Sequence, residues 1–419
     1  MKIACACPRP RRWPVLLFVI LVPVASLVHG QSTNDDCLAC HSDPELTRAK
    51  DNSSVAVNPQ HFSDSVHGGF SCTDCHSDPA ALEPDHSPDL LPADCSACHS
   101  DQIAAAANGV HAEPRADGRG PLAACSDCHG LHDILSSTEL ASRTHPLNIP
   151  KTCGRCHSSE TPASAATLKE HVDVLTPYLE SVHGKGLTKA GLVISASCTS
   201  CHDHHEIRRP SDPRSKIYHS NVAKTCGTCH VGIESVYAQS IHGKKLAEGN
   251  AKAPSCADCH SSHTIARAQT EAWKVDVMNE CGTCHEHSME TYRDTFHGQV
   301  TKLGFARVAT CSGCHGAHDV LPATDPASHV SPQRRLQTCQ ACHQGAPAGF
   351  ASYDPHANKH DPQRNPTVYW TARLMTWLLI GTFGFFLTHT GLWFLSETRR
   401  KRGTVPPKQE PRGRHEERR

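Results

Sequence analysis

Eleven short cysteine and histidine motifs stand out in the sequence. Each reads Cys-x-x-Cys-His, and every cysteine after residue 30 belongs to one of them. Two thiols three residues apart lie on one side of a helical turn and can add to the two vinyl groups of one haem, while the adjacent imidazole reaches the iron. The pattern predicts covalent haem c at each of the eleven motifs. In chain order, motifs 1 to 11 are Cys37, Cys40 and His41; Cys72, Cys75 and His76; Cys95, Cys98 and His99; Cys125, Cys128 and His129; Cys153, Cys156 and His157; Cys198, Cys201 and His202; Cys226, Cys229 and His230; Cys256, Cys259 and His260; Cys281, Cys284 and His285; Cys311, Cys314 and His315; and Cys339, Cys342 and His343.

Two other uses of paired cysteines compete with haem attachment. Structural zinc sites also use Cys-x-x-Cys pairs, and exported proteins use even numbers of cysteines for disulfides. Neither requires a histidine directly after every pair. The sequence therefore favours haem.

A larger repeat of about 55 residues supplies histidines outside the motifs. A Ser/Thr-x-His-Gly segment precedes a motif four times, and Val110-His111-Ala112 is a degenerate fifth copy. A second histidine follows the motif histidine by three residues in four motifs. Recurrence at fixed offsets predicts that these side chains are the sixth ligands of haem irons. They are His67, His111, His183, His242 and His297 in the first group, and His132, His205, His263 and His318 in the second.

Two further ligands are needed to match eleven irons. His86 stands where the first module lacks its later histidine, and His61 is the best eleventh candidate, with His356 or His360 behind it. Four histidines near motifs stay open as alternatives, namely His145, His204, His219 and His329.

Methionine is scarce in the haem-bearing region. Met278 and Met289 are the two methionines between residues 31 and 366, so at most two haems could have the His/Met ligation that raises a haem potential. The set is expected to be mostly bis-histidine and low in potential. A bis-histidine iron has no open position and passes electrons without binding a substrate.

The two ends of the chain carry targeting patterns. Residues 1–30 hold four basic residues before the apolar run from Trp13 to Val28, which predicts a secretory signal cleaved before Gln31. Near the other end, Leu374 to Leu395 is apolar and long enough to span a membrane as a helix. The basic run 399–402 follows it and predicts a cytoplasmic tail. We therefore predict a signal peptide at 1–30, a haem domain at 31–366, a transmembrane helix at 367–396 and a basic tail at 397–419.

Charge is uneven along the chain. Residues 31–366 contain 27 Lys and Arg against 38 Asp and Glu, while both ends are basic. An acidic domain argues against nucleic-acid binding and fits a transient encounter with a basic protein partner. The expected location is the inner membrane, with the haem domain in the periplasm.

The motifs and repeats resemble those of periplasmic multihaem cytochromes with doubled Cys-x-x-Cys-His motifs, akin to the cytochrome c3 family and to the decahaem and tetrahaem carriers of anaerobic respiration. The resemblance covers roughly residues 37–343. It implies that the repeated histidines are distal ligands and that neighbouring haems are close enough for electron transfer. Ala112 and Pro79 depart from the repeat, which leaves the ligands of those haems open.

With few apolar side chains and one haem for about every 28 residues between 37 and 343, most of the core is expected to be cofactor. The expected fold is mainly α with much irregular coil, an elongated array of two-haem modules and one C-terminal transmembrane helix. We expect an electron carrier that takes electrons from a membrane cytochrome b or quinol oxidase subunit and passes them to a periplasmic or outer-membrane acceptor. The alternatives are a reductase of nitrite, hydroxylamine or a sulfur oxyanion, and a filament subunit.

One histidine lies inside the apolar span. His389 is either tolerated near the helix end or contacts a quinone or a b-type haem in a partner complex. The sequence leaves both possibilities open.

Overall fold

The computed structural model describes residues 33–48, 52–78, 86, 90–115, 120–159 and 173–403. The predicted signal peptide and residues 404–419 of the predicted tail lie outside these ranges. The chain divides into two compact units, Met1–Ile103 with His129–Ser136 and Ala104–Cys128 with Ser137–Arg419.

Short helices carry the motifs. Most begin at or just before the first cysteine and end near the histidine, because a single helical turn is what the three-residue cysteine spacing requires. Asp and Ser at the third helical position close several first turns by bonding back to the cap residue. The motif helices are Asn34–His41, Cys72–Cys75, Ser96–Ala107, Cys125–His129, Ile149–His157, Cys198–His202, Val222–Gly227, Cys256–His260, Glu271–Cys284, Cys311–His315 and Arg335–Gln340.

The remaining helices lie between motifs. They are Pro59–Asp64, Leu175–Glu180, Val182–Thr188, Val231–Gln239, Ile241–Ala247, Glu286–Arg293 and Phe296–Lys302, with 3-10 turns at Val110–Ala112, His219–Asn221 and Ala348–Ser352. Within the described ranges there is no β-strand, and the pairs Thr47/Ser54 and Pro114/Pro121 form isolated bridges. The mainly α class with much irregular coil is confirmed.

The last helix runs from Pro366 to Gly403 and is long and apolar enough to cross a membrane. It contains the predicted span and extends it at both ends. His389 stacks on Phe385 one turn earlier in this helix. Length and composition support a single C-terminal membrane helix, as the sequence predicts.

Apolar packing by the chain itself is sparse. The buried hydrophobic residues of the described ranges are Ile149, Leu187, Ala223, Leu246, Ala253, Met278, Met289, Tyr292 and Ala306. Met278, Met289 and Tyr292 form one cluster against Cys311. Both methionines of the haem-bearing region therefore serve as packing residues here. So small a core leaves most of the interior to be filled by something other than side chains.

Candidate haem-binding sites

Motif histidines face a second histidine ring. In ten motifs the centroids of the two rings are 5.9 to 6.3 Å apart. In chain order of the motifs, the pairs are His41/His86, His76/His132, His99/His67, His157/His111, His202/His263, His230/His183, His260/His318, His285/His242, His315/His356 and His343/His297. The remaining motif histidine, His129, belongs to the first unit, and His205 belongs to the second.

The ring separation fits one six-coordinate iron. A metal-to-imidazole distance of about 2 Å on each side, and about 1 Å more from that nitrogen to the ring centre, places two trans imidazoles roughly 6 Å apart. The motif cysteines beside these pairs are exposed or half-buried and form no disulfide in the described ranges. No group of three or more metal-ligating side chains occurs in the same ranges. The facing pairs of imidazoles therefore suit the two histidine positions of a haem iron.

The second cysteines of motifs 1, 3, 5 and 11 are at least partly exposed to solvent. Cys40, Cys98 and Cys342 are exposed, and Cys156 is half-buried. The backbone carbonyl oxygen of Cys40 accepts the N–H of Asp43 at 3.1 Å, just after the motif helix ends. These four thiols are accessible to a haem vinyl group, and their role as attachment points stays a prediction of the motif.

The pairing follows a rule across the repeated modules. A module is a Ser/Thr-x-His-Gly segment, or its degenerate copy at His111, followed by two motifs. The module's own first histidine faces its second motif, as His183 faces His230. Its first motif is faced by the later histidine of the next module, as His202 is faced by His263. Consecutive modules are therefore interlocked.

A single backbone hydrogen bond recurs at each interlock. The donor is the backbone N–H of the residue just before a module's first histidine. The acceptor is a carbonyl oxygen in the next module, two residues after that module's later histidine, and the N···O distances are 2.8 to 2.9 Å. This bond holds the two histidine-bearing segments side by side. The pairs are Val66/Ile134, Val110/Ile207, Val182/Ile265 and Ile241/Val320.

The Ser/Thr-x-His-Gly segment is a helix start. Ser181, Ser240 and Thr295 each cap a helix, and their side-chain oxygens accept the N–H of the glycine three residues later at 3.0 to 3.1 Å. The histidine is then the second residue of the helix. The cap fixes its backbone and so the direction of its ring.

The glycine of the segment has no room for a side chain. A Cβ on Gly243 would overlap the carbonyl oxygen of Tyr237, and Gly184 and Gly298 meet the equivalent carbonyls of Tyr178 and Tyr292. The preceding helix thus crosses directly over this glycine. Ala112 replaces glycine at His111, where the chain forms a 3-10 turn in place of an α-helix.

We expect Gly243→Ala to lower the thermal midpoint of the haem-loaded protein, because forcing a methyl group into filled space costs about 1–3 kcal/mol. Gly232→Ala is the matched control, since Gly232 lies in the exposed helix Val231–Gln239 with nothing near its missing Cβ. That control is expected to be neutral or stabilising by up to about 1 kcal/mol. Calorimetry of both variants checks this, and equal midpoints would contradict the steric argument.

Three of the repeated modules contain a tyrosine whose role the sequence reasoning did not predict. Its hydroxyl donates to the carbonyl oxygen two residues before the first cysteine of the module, as in Tyr178 to Ala196 at 2.8 Å, Tyr237 to Pro254 at 2.6 Å and Tyr292 to Ala309 at 2.9 Å. Burial raises the pKa of Tyr237 to about 12, so the hydroxyl stays protonated and donating. The signal was present as Tyr-x-x-Ser/Thr-x-His-Gly. In the first module Phe62 occupies that position and cannot donate.

The residue after the motif histidine turns the chain. Gly130, Asp203, Ser261 and Gly316 all have positive φ, and they precede the later histidines of their modules. Asp203 and Ser261 combine φ of 72° and 61° with extended ψ, a region that only glycine adopts without strain. This turn carries the later histidine away from its own motif toward that of the preceding module.

Consecutive motifs are neighbours in space. The first cysteines of two successive motifs interact through their thiols in four cases: Cys37 with Cys72, Cys153 with Cys198, Cys226 with Cys256 and Cys281 with Cys311. In five more, the second cysteine of an even-numbered motif lies close to a cysteine of the next: Cys75 with Cys98, Cys128 with Cys153 and Cys156, Cys201 with Cys226, Cys259 with Cys281, and Cys314 with Cys339 and Cys342. His99 is likewise within electrostatic reach of His129. Within each compact unit, motifs that are neighbours along the chain are therefore also neighbours in space.

The facing rings are held in the form that binds iron. Burial is the largest cause of a lowered pKa for both rings in the pairs His76/His132, His111/His157, His202/His263 and His315/His356. A lowered pKa keeps an imidazole neutral, with a free lone pair on one nitrogen. In His41 the Nδ1 atom lies 2.9 Å from the carbonyl oxygen of Val55, which directs Nε2 toward the facing ring.

The alternative histidines have other partners. His219 and His329 place Nε2 on the carboxylates of Asp258 and Asp319, at 3.0 and 2.7 Å. His145 accepts the N–H of Leu147 through Nδ1, and His204 pairs with Asp203. His61, the preferred eleventh candidate, is exposed in the helix Pro59–Asp64, while His356, one of the two candidates behind it, faces His315.

Repeated Cys-x-x-Cys-His motifs, ten of which place their histidine against a second imidazole, are the features expected of a multihaem c-type cytochrome. Residues 65–158, which contain motifs 2 to 5, match the family described as Cytochrome c3. No solved structure matches the chain. The match over residues 65–158 and the motifs beyond it support a multihaem c-type cytochrome of the cytochrome c3-like kind, and that family implies covalent haem c and electron transfer.

Proposed function

We propose that this protein is a membrane-anchored electron carrier with eleven covalent haems. Each motif would hold a haem through its two cysteine sulfurs and its histidine. Nine of the ten observed pairs supply the second imidazole from the residues predicted by the repeat or from His86. Haem bound in this way supplies a reversible one-electron redox centre.

The main support for this proposal is that ten motif histidines face a second histidine. A reductase needs an iron with an open position for its substrate, whereas each of the ten facing pairs would supply a histidine to both sides of an iron. His205 is proposed as a distal ligand on the repeat alone, since it holds the same place after its motif as His132, His263 and His318. This ligand set supports electron transfer over substrate reduction.

The order of the motifs supports transfer along the chain. Because each motif's sulfurs or imidazole lie beside those of the next, the cofactors they hold would also be neighbours. Electrons would enter or leave at the two ends of the series. Motif 11 is 23 residues before the long apolar helix at Pro366.

The proposed anchor is that C-terminal helix, with a quinol-oxidising membrane subunit, such as a cytochrome b, as the electron source.

The acidic charge suggests where a soluble partner docks. Residues 31–180 contain 8 basic and 22 acidic residues, whereas residues 181–366 contain 19 basic and 16 acidic. A basic periplasmic or outer-membrane partner would therefore meet the N-terminal half of the haem domain.

The test is haem count and spin state of the exported protein. We expect denaturing mass spectrometry to give eleven haem masses above the chain that begins near Gln31, and electron paramagnetic resonance to show low-spin ferric iron throughout. Replacing Cys226 and Cys229 by alanine should lower the count to ten. A stoichiometric high-spin signal in the unmodified protein would instead favour the reductase.

A further inference from the structure

The last module lacks the neighbour that the pairing rule requires. Motif 10, which contains His315, is the first motif of that module and should be faced by the later histidine of a following one. Residues 344–419 contain no further Cys-x-x-Cys-His motif, so a histidine from outside the repeat must face His315 within this sequence. The histidine that faces His315 is His356, with ring centroids 6.2 Å apart, the same separation as in the other pairs.

The protonation of His356 is set by Thr291. The threonine Oγ1 lies 3.1 Å from the carbonyl oxygens of His287 and Ser288, to which its hydroxyl proton can be donated. The same oxygen lies 3.1 Å from Nδ1 of His356 and is free to accept. Nδ1 therefore carries the proton, and Nε2 keeps its lone pair for a metal.

Residues 354–365, which we call the C-terminal segment, hold this histidine in place. The carboxylate of Asp354 accepts the backbone N–H of His356 at 2.9 Å. Lys359 forms an ion pair with Asp294 at 2.9 Å. Asn365 accepts the N–H of Asn358 through its side chain, and its own carbonyl accepts the N–H of Tyr369 at the start of the long helix.

We propose that His356 is the sixth iron ligand of the haem held by Cys311, Cys314 and His315. The C-terminal segment then substitutes for a missing module and ties the base of the membrane helix to motif 10. His61 and His360 are not ligands of this iron. The inference rests on the proposed haem loading, and it adds a residue that lies outside every repeat.

The test compares glycine variants of three histidines in the full-length, haem-loaded protein. His356→Gly is expected to retain all its haems by mass and to convert one of them to a high-spin form that binds carbon monoxide when reduced. Added imidazole should restore the low-spin form of that haem. His61→Gly and His360→Gly are the matched controls and should bind no carbon monoxide.

Two further variants locate the effect. His356→Met retains a ligand and should keep one low-spin haem at a raised potential. In a Cys311→Ala, Cys314→Ala background, His356→Gly should add no carbon monoxide site. An unchanged spectrum for His356→Gly, or a new site in His61→Gly, would overturn the assignment. Fewer than eleven haems in the unmodified protein would contradict the proposed haem count. That result is separate from the His356 comparison, which asks only whether one haem loses a ligand.

Discussion

Made in cells that lack the machinery for c-type haem attachment, the full-length chain is expected to have no folded haem domain. Nine buried apolar residues in the described ranges form too small a core. Ordering each residue of a chain costs about 1–2 kcal/mol in conformational entropy, and burying one apolar side chain returns about 1.5–3 kcal/mol. The cofactors must provide most of the remaining buried surface.

Circular dichroism and limited proteolysis in detergent would measure this. The haem-free chain should be cut throughout residues 31–366 while the long apolar helix remains helical and protected. The same chain made with haem attachment is the control and should resist proteolysis. A cooperative unfolding transition in the haem-free domain would contradict the view that haem forms its core.

The second large effect concerns the interlock between modules. Replacing His263 by glycine is expected to open the haem of motif 6, whose His202 it faces at 6.0 Å, and to leave the haem of its own motif 8 closed. The reason is the positive-φ turn at Ser261, which carries His263 away from His260. Carbon monoxide binding by the reduced protein should rise from none to one equivalent.

A pair of cysteine variants identifies the haem that opens. With Cys198 and Cys201 replaced by alanine, His263→Gly should create no new carbon monoxide site, because the haem it would open is absent. With Cys256 and Cys259 replaced, the same change should still create one. The reverse result would mean that later histidines bind the haems of their own modules.

Interlocked ligands have a consequence for folding. The first motif of a module is faced by a histidine of the next module. We therefore expect the haem site of that first motif to be completed only when both modules have folded. The backbone bond from Val182 to Ile265, and its equivalents, would form in the same step. Truncation between modules is therefore expected to leave the haem of one first motif without its second histidine, whereas His356 of the C-terminal segment faces the first motif of the last described module.

Much of the candidate site could be read from residue types and spacing. The eleven motifs, their helical form and the repeat histidines are local patterns, and a single helical turn is determined by neighbouring residues. Nine of the ten histidines predicted from the repeat and His86 face a motif histidine in the structure. The tenth, His205, remains a distal ligand predicted from the repeat alone.

The identity of each partner was decided only by tertiary structure. Facing histidines are separated by 32 residues in the pair His67/His99 and by 61 in the pair His202/His263, and each skips at least one closer histidine. The choice depends on backbone bonds between modules, on a glycine that lets one helix cross another, and on turns with positive φ. His356, which ranked behind His61 as the eleventh candidate, faces His315 through the same kind of long-range packing, in which Lys359 of the C-terminal segment contacts Asp294. Sequence spacing indicated which histidines are candidate haem ligands, and long-range packing determined which two of them face each other.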